Sequence, residues 1–300
     1  MRSLLFAGLL LLLVACQQSG GTISLDELIV GARTGDRAAI GKLVGLLGVE
    51  GELTNDRIYV LLVSLKSAAV VPELLDAVNS SYRVQREYVI AALGNHKAAV
   101  AVESIVAALA DQRLQRRYVA AWALGEIAGE ACVAPLLQAL ADPQLEVRKA
   151  ATRSLIKLHR LAFPPLLEFL PGATPLAAAG AIRALGDIAD PRAFAVLAAQ
   201  ASGGNRAEVI LALGKLKVPE AEPLLLAALT DPQWRVRMHA AMALAGVGSA
   251  AAVPVLESAL EDQVNVVREW AARSLETLTG ERYRYRNEAG ELVAPYNIYH

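Results

Sequence analysis

Residues 133–158 read VAPLLQALADPQLEVRKAATRSLIKL, and this stretch decides the fold. Val133 to Leu140 and Val147 to Leu158 flank the pair Asp142-Pro143, which predicts a short helix, a turn and a longer helix. Counting from Val147, the apolar or small residues Ala150, Ala151, Leu155 and Leu158 fall at offsets of three, four, eight and eleven, which share one helical face. Val267 starts the same series with Trp270, Ala271, Leu275 and Leu278. Alanine at the fourth offset is small enough to let a neighbouring helix come close. At the turn, Asp can accept hydrogen bonds from the orphan amides that open the second helix, and Pro suits the first helical position.

The pattern recurs outward in both directions. Leu93-Gly94, Leu124-Gly125, Leu155-Ile156, Leu185-Gly186, Leu213-Gly214, Leu244-Ala245 and Leu275-Glu276 follow one another at steps of 31, 31, 30, 28, 31 and 31 residues. Such regularity means stacked units, each burying its apolar face against the next. One short step back from Leu93 gives Leu65, so Arg37 to Leu47 with Thr54 to Ser67 makes a degenerate eighth unit, and Ser24 to Arg33 reads as a polar-faced starting helix. Hydrophobic residues are 55% of the chain yet there are only four Phe and three Trp, so Leu and Ala carry the apolarity. Those are helix formers, and a repeat array avoids the size limit of a single core. The expected fold is therefore all-α, a right-handed α-solenoid of about eight two-helix repeats over residues 24–280.

Six residues after the turn Asp comes Arg in four units: Asp111 and Arg117, Asp142 and Arg148, Asp231 and Arg237, Asp262 and Arg268, with Ser80 and Arg86 a weaker fifth case. At these points the sequence resembles the HEAT repeat, and more closely the HEAT-like repeats of the phycobilisome lyase type, across roughly residues 36–279. The resemblance implies that the turn Asp and the helical Arg stack into a ladder between neighbouring units. It implies a fold far more than a function.

The N-terminus addresses the chain. Arg2 supplies a positive charge, Leu4 to Val14 is an apolar run, and Leu13-Val14-Ala15-Cys16 follows. The run is too short to cross ~30 Å of hydrocarbon, and Ala15 suits a processing site, so residues 1–15 are predicted to be a secretory signal peptide. The segment resembles the bacterial lipobox, which implies that Cys16 is acylated and becomes the first residue of the mature chain. An ordinary cleaved signal with an incidental cysteine is the competing reading. Residues 16–23 are then the lipidated Cys and its tether, short enough to keep the repeats near the membrane. Gln17 lacks the Asp that in lipoproteins favours inner-membrane retention, so the expected location is the periplasmic face of the outer membrane where the cell has two membranes. Cys132 is the sole cysteine besides Cys16, which leaves no internal disulfide. A formal net charge of -1 argues against a nucleic-acid partner.

Two stretches depart from the repeat. In residues 163–210, Phe163-Pro164-Pro165 and Pro171-Gly172 interrupt the chain, Ser202-Gly203-Gly204-Asn205 replaces the Asp-Pro turn, and the Asp-Arg pairing lapses for two units. Phe163, Phe169 and Phe194 gather there, either as contact residues for a bound peptide or as fillers of the core. Residues 281–300 abandon helical spacing: Arg282-Tyr283-Arg284-Tyr285-Arg286 alternates, Asn287 to Gly290 can turn, and Glu291 to Ala294 can return, which predicts a small β-hairpin. Tyr283 and Tyr285 are either a contact strip or part of a cap over the last repeat, the second being the expected role.

The search for chemistry finds no catalytic constellation. His96, His159, His239 and His300 have no ligand spacing, so no metal or other cofactor is expected. His159 is predicted to end a helix, His239 to sit at the core boundary, and Cys132 to be a packed thiol. Glu126 with Glu130, and Asp187 with Asp190, lie at repeat ends where solvent returns. Gly45 to Gly51 lacks the Lys and the preceding strand of a phosphate loop. The expected function is a non-catalytic, membrane-anchored scaffold in the bacterial cell envelope. Its partner is an unidentified protein or peptide, and the chain itself a monomer or weak dimer. An enzyme, or an enzyme accessory subunit akin to the HEAT-repeat phycobilin lyases, is the alternative.

Overall fold

The computed structural model describes residues 23–295. The signal segment, Cys16, most of the tether, Tyr296 and Tyr299 lie outside them. The fold is an all-α solenoid of HEAT-like two-helix repeats: among the described residues there are seventeen α-helices and one two-stranded sheet. None of those helices is long and apolar enough to cross a membrane. The chain divides into two compact bodies, up to Ala92 and from Leu93 onward.

The N-terminal body opens with α1 (Leu25–Arg33), then pairs α2 (Arg37–Leu46) with α3 (Glu52–Ser64) and begins the pair α4 (Val70–Ala77) and α5 (Arg83–Asn95). Ser24 starts α1 through a capping box: its hydroxyl accepts from the Glu27 amide at 3.2 Å while the Glu27 carboxylate accepts from the Ser24 amide at 2.7 Å. The Gly45 to Gly51 stretch is the turn between α2 and α3. Gly48 has φ +76°, and buried Asn55 holds it by accepting from the Gly48 amide and donating to the Glu50 carbonyl.

The C-terminal body carries the regular pairs: α6 (Val102–Ala110) with α7 (Tyr118–Ile127), α8 (Val133–Ala139) with α9 (Leu145–Leu158), α10 (Phe163–Phe169) with α11 (Pro175–Ile188), α12 (Phe194–Ala198) with α13 (Arg206–Leu216), α14 (Glu222–Ala228) with α15 (Trp234–Val247), and α16 (Ala252–Ala259) with α17 (Asn265–Thr279). Each second helix packs on the next, from α7 through α17. Leu93, Leu124, Leu155, Leu185, Leu213, Leu244 and Leu275 are all fully buried, each removal from water contributing about 1.5–3 kcal/mol. The hairpin pairs β1 (Tyr285–Arg286) antiparallel to β2 (Leu292–Val293) and lies on α17, as the alternation predicted.

Two details differ from the sequence reading. The turn Asp is not the cap of the second helix: that place falls to Gln144, Gln233 and Val264, none of which makes a side-chain capping bond. Asp142, Asp231 and Asp262 instead accept from the amide two residues on, at 2.8 Å in each case, folding a local turn that Pro143 and Pro232 stiffen. In the stripe, Val147, Ala151, Leu155 and Leu158 are buried but Ala150 and Trp270 are only half-buried. Ser154 and Ser274 take the inner face instead, donating to the Ala121 and Ala241 carbonyls of the preceding second helix.

The glycine of each Leu-Gly pair explains why those helices come so close. A Cβ on Gly125 would lie 2.6 Å from the Cβ of Ser154 and 3.0 Å from its Cα; on Gly186 and Gly94 it would meet the Cα atoms of Ala212 and Ala123 below 3.0 Å. Backbone meets backbone there, so the neighbour has no flexible tip to withdraw. We predict that Gly125→Ala lowers stability by about 1–3 kcal/mol through overpacking. Gly246→Ala, where an added Cβ meets nothing within 4 Å, should be neutral or stabilising. Urea unfolding of the two variants checks this, and equal midpoints would contradict it.

Candidate functional site

An arginine stands seven residues before the buried leucine in every repeat of the C-terminal body but one, where Leu185 has Ala178, and these arginines organise one edge of that body. Arg117, almost wholly buried, places Nη1 and Nη2 at 2.5 and 2.9 Å from the two carboxylate oxygens of Asp142, and Nη1 also donates to the Leu109 carbonyl. Arg237 grips Asp262 through Nε and Nη2 at 2.6 and 3.0 Å, while its Nη1 donates to the Asp231 carbonyl. Within a repeat, the six-residue spacing brings Arg148, Arg237 and Arg268 to the backbone carbonyl of their own turn Asp; the carboxylate that Arg117 and Arg237 bind belongs to the following repeat, 25 residues on. Pairing Asp142 with Arg148, or Asp231 with Arg237, through their charges is corrected accordingly. A ladder between neighbours, as the resemblance implied, is what these bonds form.

Each remaining position has its place. Arg206 binds Asp231 at 2.9 and 3.3 Å, so the ladder resumes inside the 163–210 stretch, earlier than the Asp-first search suggested. That search missed Arg206 because no Asp precedes it by six; counting seven back from Leu213 finds it. Asp111 is held across its turn by Arg113, at 2.9 Å to each oxygen. Arg268, at the end of the array, donates Nη1 to the Asp262 carbonyl and Nε to the Arg286 carbonyl of the hairpin at 2.6 Å. The carboxylates expected simply to be solvated form a second, outer set of links: Glu126 to Lys157 and Asp187 to Lys215. Asp190 pairs with Arg192, whose hydrogen bond holds its carboxyl below the usual carboxylate range.

The aromatic candidates separate. Phe163 is 3% exposed beneath the Arg192 guanidinium, 4.8 Å from the ring centroid, so it fills the core and is withdrawn as a contact residue. Phe169 and Phe194 are half-buried. Tyr285 is buried against α17, where that burial pushes its phenol up, so it too is withdrawn from contact and serves the cap. Tyr283 is half-buried and its hydroxyl donates to Glu257 at 3.4 Å. Cys132 is fully buried and its thiol is pushed up by that burial, which keeps it protonated. His159 ends α9, and His239 Nδ1 lies 2.8 Å from the Ala207 carbonyl of the preceding second helix. Among the described residues no three His, Cys, Asp or Glu are grouped to hold a metal.

One surface groove has no counterpart in any local sequence motif. Between α9 and α11 lies an open groove of about 420 Å³. Leu140, Thr152 and Gly180 line it; Gly180 is packed so tightly that an added Cβ would sit 2.8 Å from Leu140 and 2.9 Å from the Thr152 hydroxyl. Leu145 and Leu176 stand exposed on it, 51% and 47%, beside Arg148, Lys149, Arg153 and Arg183. Asp187 and Glu208 line its other end, Asp187 already bonded to Lys215. Arrangement and charge suit the binding of an anionic, partly apolar chain, and offer no paired acid and base.

Comparison with known proteins follows the fold. The HEAT repeats family matches residues 196–276, and the PBS lyase HEAT-like repeat family matches residues 116–142. No curated protein sequence matches the chain. Among solved structures, Kap121p bound to Nup53p is similar with a TM-score of 0.58 at 15% identity, over 91% of this chain and 37% of that one. This chain thus spans little more than a third of Kap121p. Human deoxyhypusine hydroxylase in complex with glycerol is 24% identical over 85% of this chain and 99% of its own, with a TM-score of 0.36. The complex of CpcE and CpcF of phycocyanin lyase from a Nostoc species is 24% identical over 68% and 86%, with a TM-score of 0.38.

A pH prediction follows from the Arg237–Asp262 rung. Burial raises the Asp262 carboxyl, but hydrogen bonds from Arg237 and the Val264 amide, with the charges of Arg237 and Arg268, outweigh it and hold the pKa below the usual value. A depressed folded pKa contributes stability that is complete above the unfolded value of about 3.9 and fades as pH falls through the folded value. Asp262→Asn should cost about 2 kcal/mol at pH 7. It should also flatten the loss of stability below pH ~4. Unfolding midpoints of both proteins across pH 2–7 decide it, and parallel curves would refute the rung's role.

Proposed function

We propose that this chain is a non-catalytic interaction scaffold, lipid-anchored at Cys16 in the bacterial cell envelope, that presents the faces of its second helices to a protein partner. The observation that carries the reading is the α9–α11 groove: its Arg153 and Arg183 guanidinium groups and exposed leucines do no work for the fold that a polar surface would not do equally well. Repeat stacks offer extended surfaces of this kind. The titratable groups displaced from their ordinary values have structural partners, as in Arg237 with Asp262, or lie packed in the core, as Cys132 does.

The alternative, an enzyme or accessory subunit akin to phycobilin lyases, draws on the PBS lyase HEAT-like match over residues 116–142. That window runs from Arg116 to Asp142 and holds the Arg117–Asp142 rung and Gly125, which build the stack. The match is accounted for by packing, and it brings no reactive group with it.

Two measurements test the proposal. With Cys16→Ala, incorporation of labelled palmitate and recovery in the membrane fraction should both be lost; unchanged membrane recovery would remove the anchor. A photo-crosslinking residue replacing Leu176 should give a discrete adduct in living cells, and one replacing Glu168, exposed on the first helix α10, should not. Absence of an adduct from 176, or stoichiometric uptake of a tetrapyrrole by the purified chain, would overturn the scaffold reading.

A further inference from the structure

The groove lies where the ladder is broken. Counting thirteen back from the buried leucine gives Asp111, Asp142, Asp231 and Asp262, but from Leu185 it gives Gly172 and from Leu213 Gln200; only the first of these gaps faces an arginine one repeat back, since Ala178 stands where the second would need one. Arg148 therefore has no carboxylate waiting in the next repeat. Its Nη1 donates to the carbonyls of Asp142 and Pro143, at 2.7 and 3.0 Å, as its equivalents do in their own turns. The Nε and Nη2 edge, which in Arg206 and Arg237 holds a carboxylate bidentately, has no protein partner among the described residues, and Arg148 lines the groove. Arg153 and Arg183 line it too, both exposed and without an ion pair among the described residues.

We infer that this groove takes an acidic peptide segment of a partner, with one of its carboxylates completing the missing rung on Arg148 and another meeting Arg153 or Arg183. The inference rests on the scaffold reading and specifies its partner. A planar carboxylate is what the same arginine edge binds in Arg206 and Arg237, and what Arg117 binds through Nη1 and Nη2, and a fork of two parallel N–H donors selects for it. Leu145 and Leu176 stand among the cations, so the occupant needs apolar side chains interleaved with its acids, which a peptide supplies and a lipid headgroup does not. Arg153 and Arg183 are both the ninth residue of their helices. Neighbouring packed helices lie about 8–10 Å apart, so an extended chain at about 3.3 Å per residue joins the two in about three residues.

The test uses the full chain in nonionic detergent and a fluorescent eight-residue peptide alternating Leu with Asp or Glu; a peptide with Lys in place of the acids is the control. The acidic peptide should bind, weaken with added salt, and lose about tenfold or more in affinity on Arg183→Glu, which removes no bond of the fold. Gly172→Asp is the decisive variant. An added Cβ there meets nothing within 4 Å, and the Thr174 amide follows by two residues, as the Gln144 amide follows Asp142. It should supply the rung from within, raising the unfolding midpoint while reducing peptide binding about tenfold or more. Equal binding of the Lys peptide, insensitivity to both variants, or displacement of the peptide by anionic lipid added to the micelles would overturn the inference. If the adduct at position 176 persists in cells carrying those two substitutions, the scaffold stands and only the acidic-peptide assignment falls.

Discussion

Arg237 satisfies two demands with one planar group. It bonds the carbonyls of the turn that precedes its own helix, and it bonds the carboxylate of the turn one repeat ahead. Only a side chain with several donors in a rigid fork can do both, and a lysine ammonium in its place would lose the bidentate half. The carboxylate is equally committed, since Asp142 accepts from the Gln144 amide as well as from Arg117. Turn geometry and repeat-to-repeat register are thereby one constraint. With register set, Gly125 and Gly186 can lie against Ser154 and Ala212 at distances that leave no room for a methyl group.

Much of this was readable before any coordinates. The period of about 31 residues, the paired helices, the fully buried leucines and the terminal hairpin all come from spacings that a helix or strand forces on its sequence. What escaped was relational. An Asp and an Arg six residues apart look like partners, because nothing along one chain segment reveals that the carboxylate turns toward the previous repeat. Anchoring the count on the buried leucine recovers Arg206, whose turn lacks the Asp that the first search required. Ala150 and Trp270 share a helical face with buried residues and yet remain half-buried. The boundary of that face depends on how deeply the adjacent helix sits, which Ser154 and Ser274 decide by bonding across it.

The groove between α9 and α11 illustrates the same limit. Its cations belong to two repeats and are scattered over residues 148–183, so no local motif marks them. The sequence did single out the 163–210 stretch as irregular, though for its phenylalanines, of which Phe163 turned out to be core. The irregularity that matters chemically is a missing acid at Gly172, and an omission has no signature until the ladder is known.

The hairpin has an effect that reaches past its own few residues. A stack of like parts has a free face at each end, and each free face resembles the surface that the next part would have covered; heterologous contacts of that kind propagate without closing. At the C-terminal end, Arg268 would be the donor offered to an incoming chain, but the Arg286 and Asn287 carbonyls already occupy it, and Tyr285 covers α17 alongside. At Arg268 the stack is thus closed chemically as well as sterically: the guanidinium that other repeats hold out to the next turn is spent on the hairpin, so a second molecule cannot extend the ladder from it.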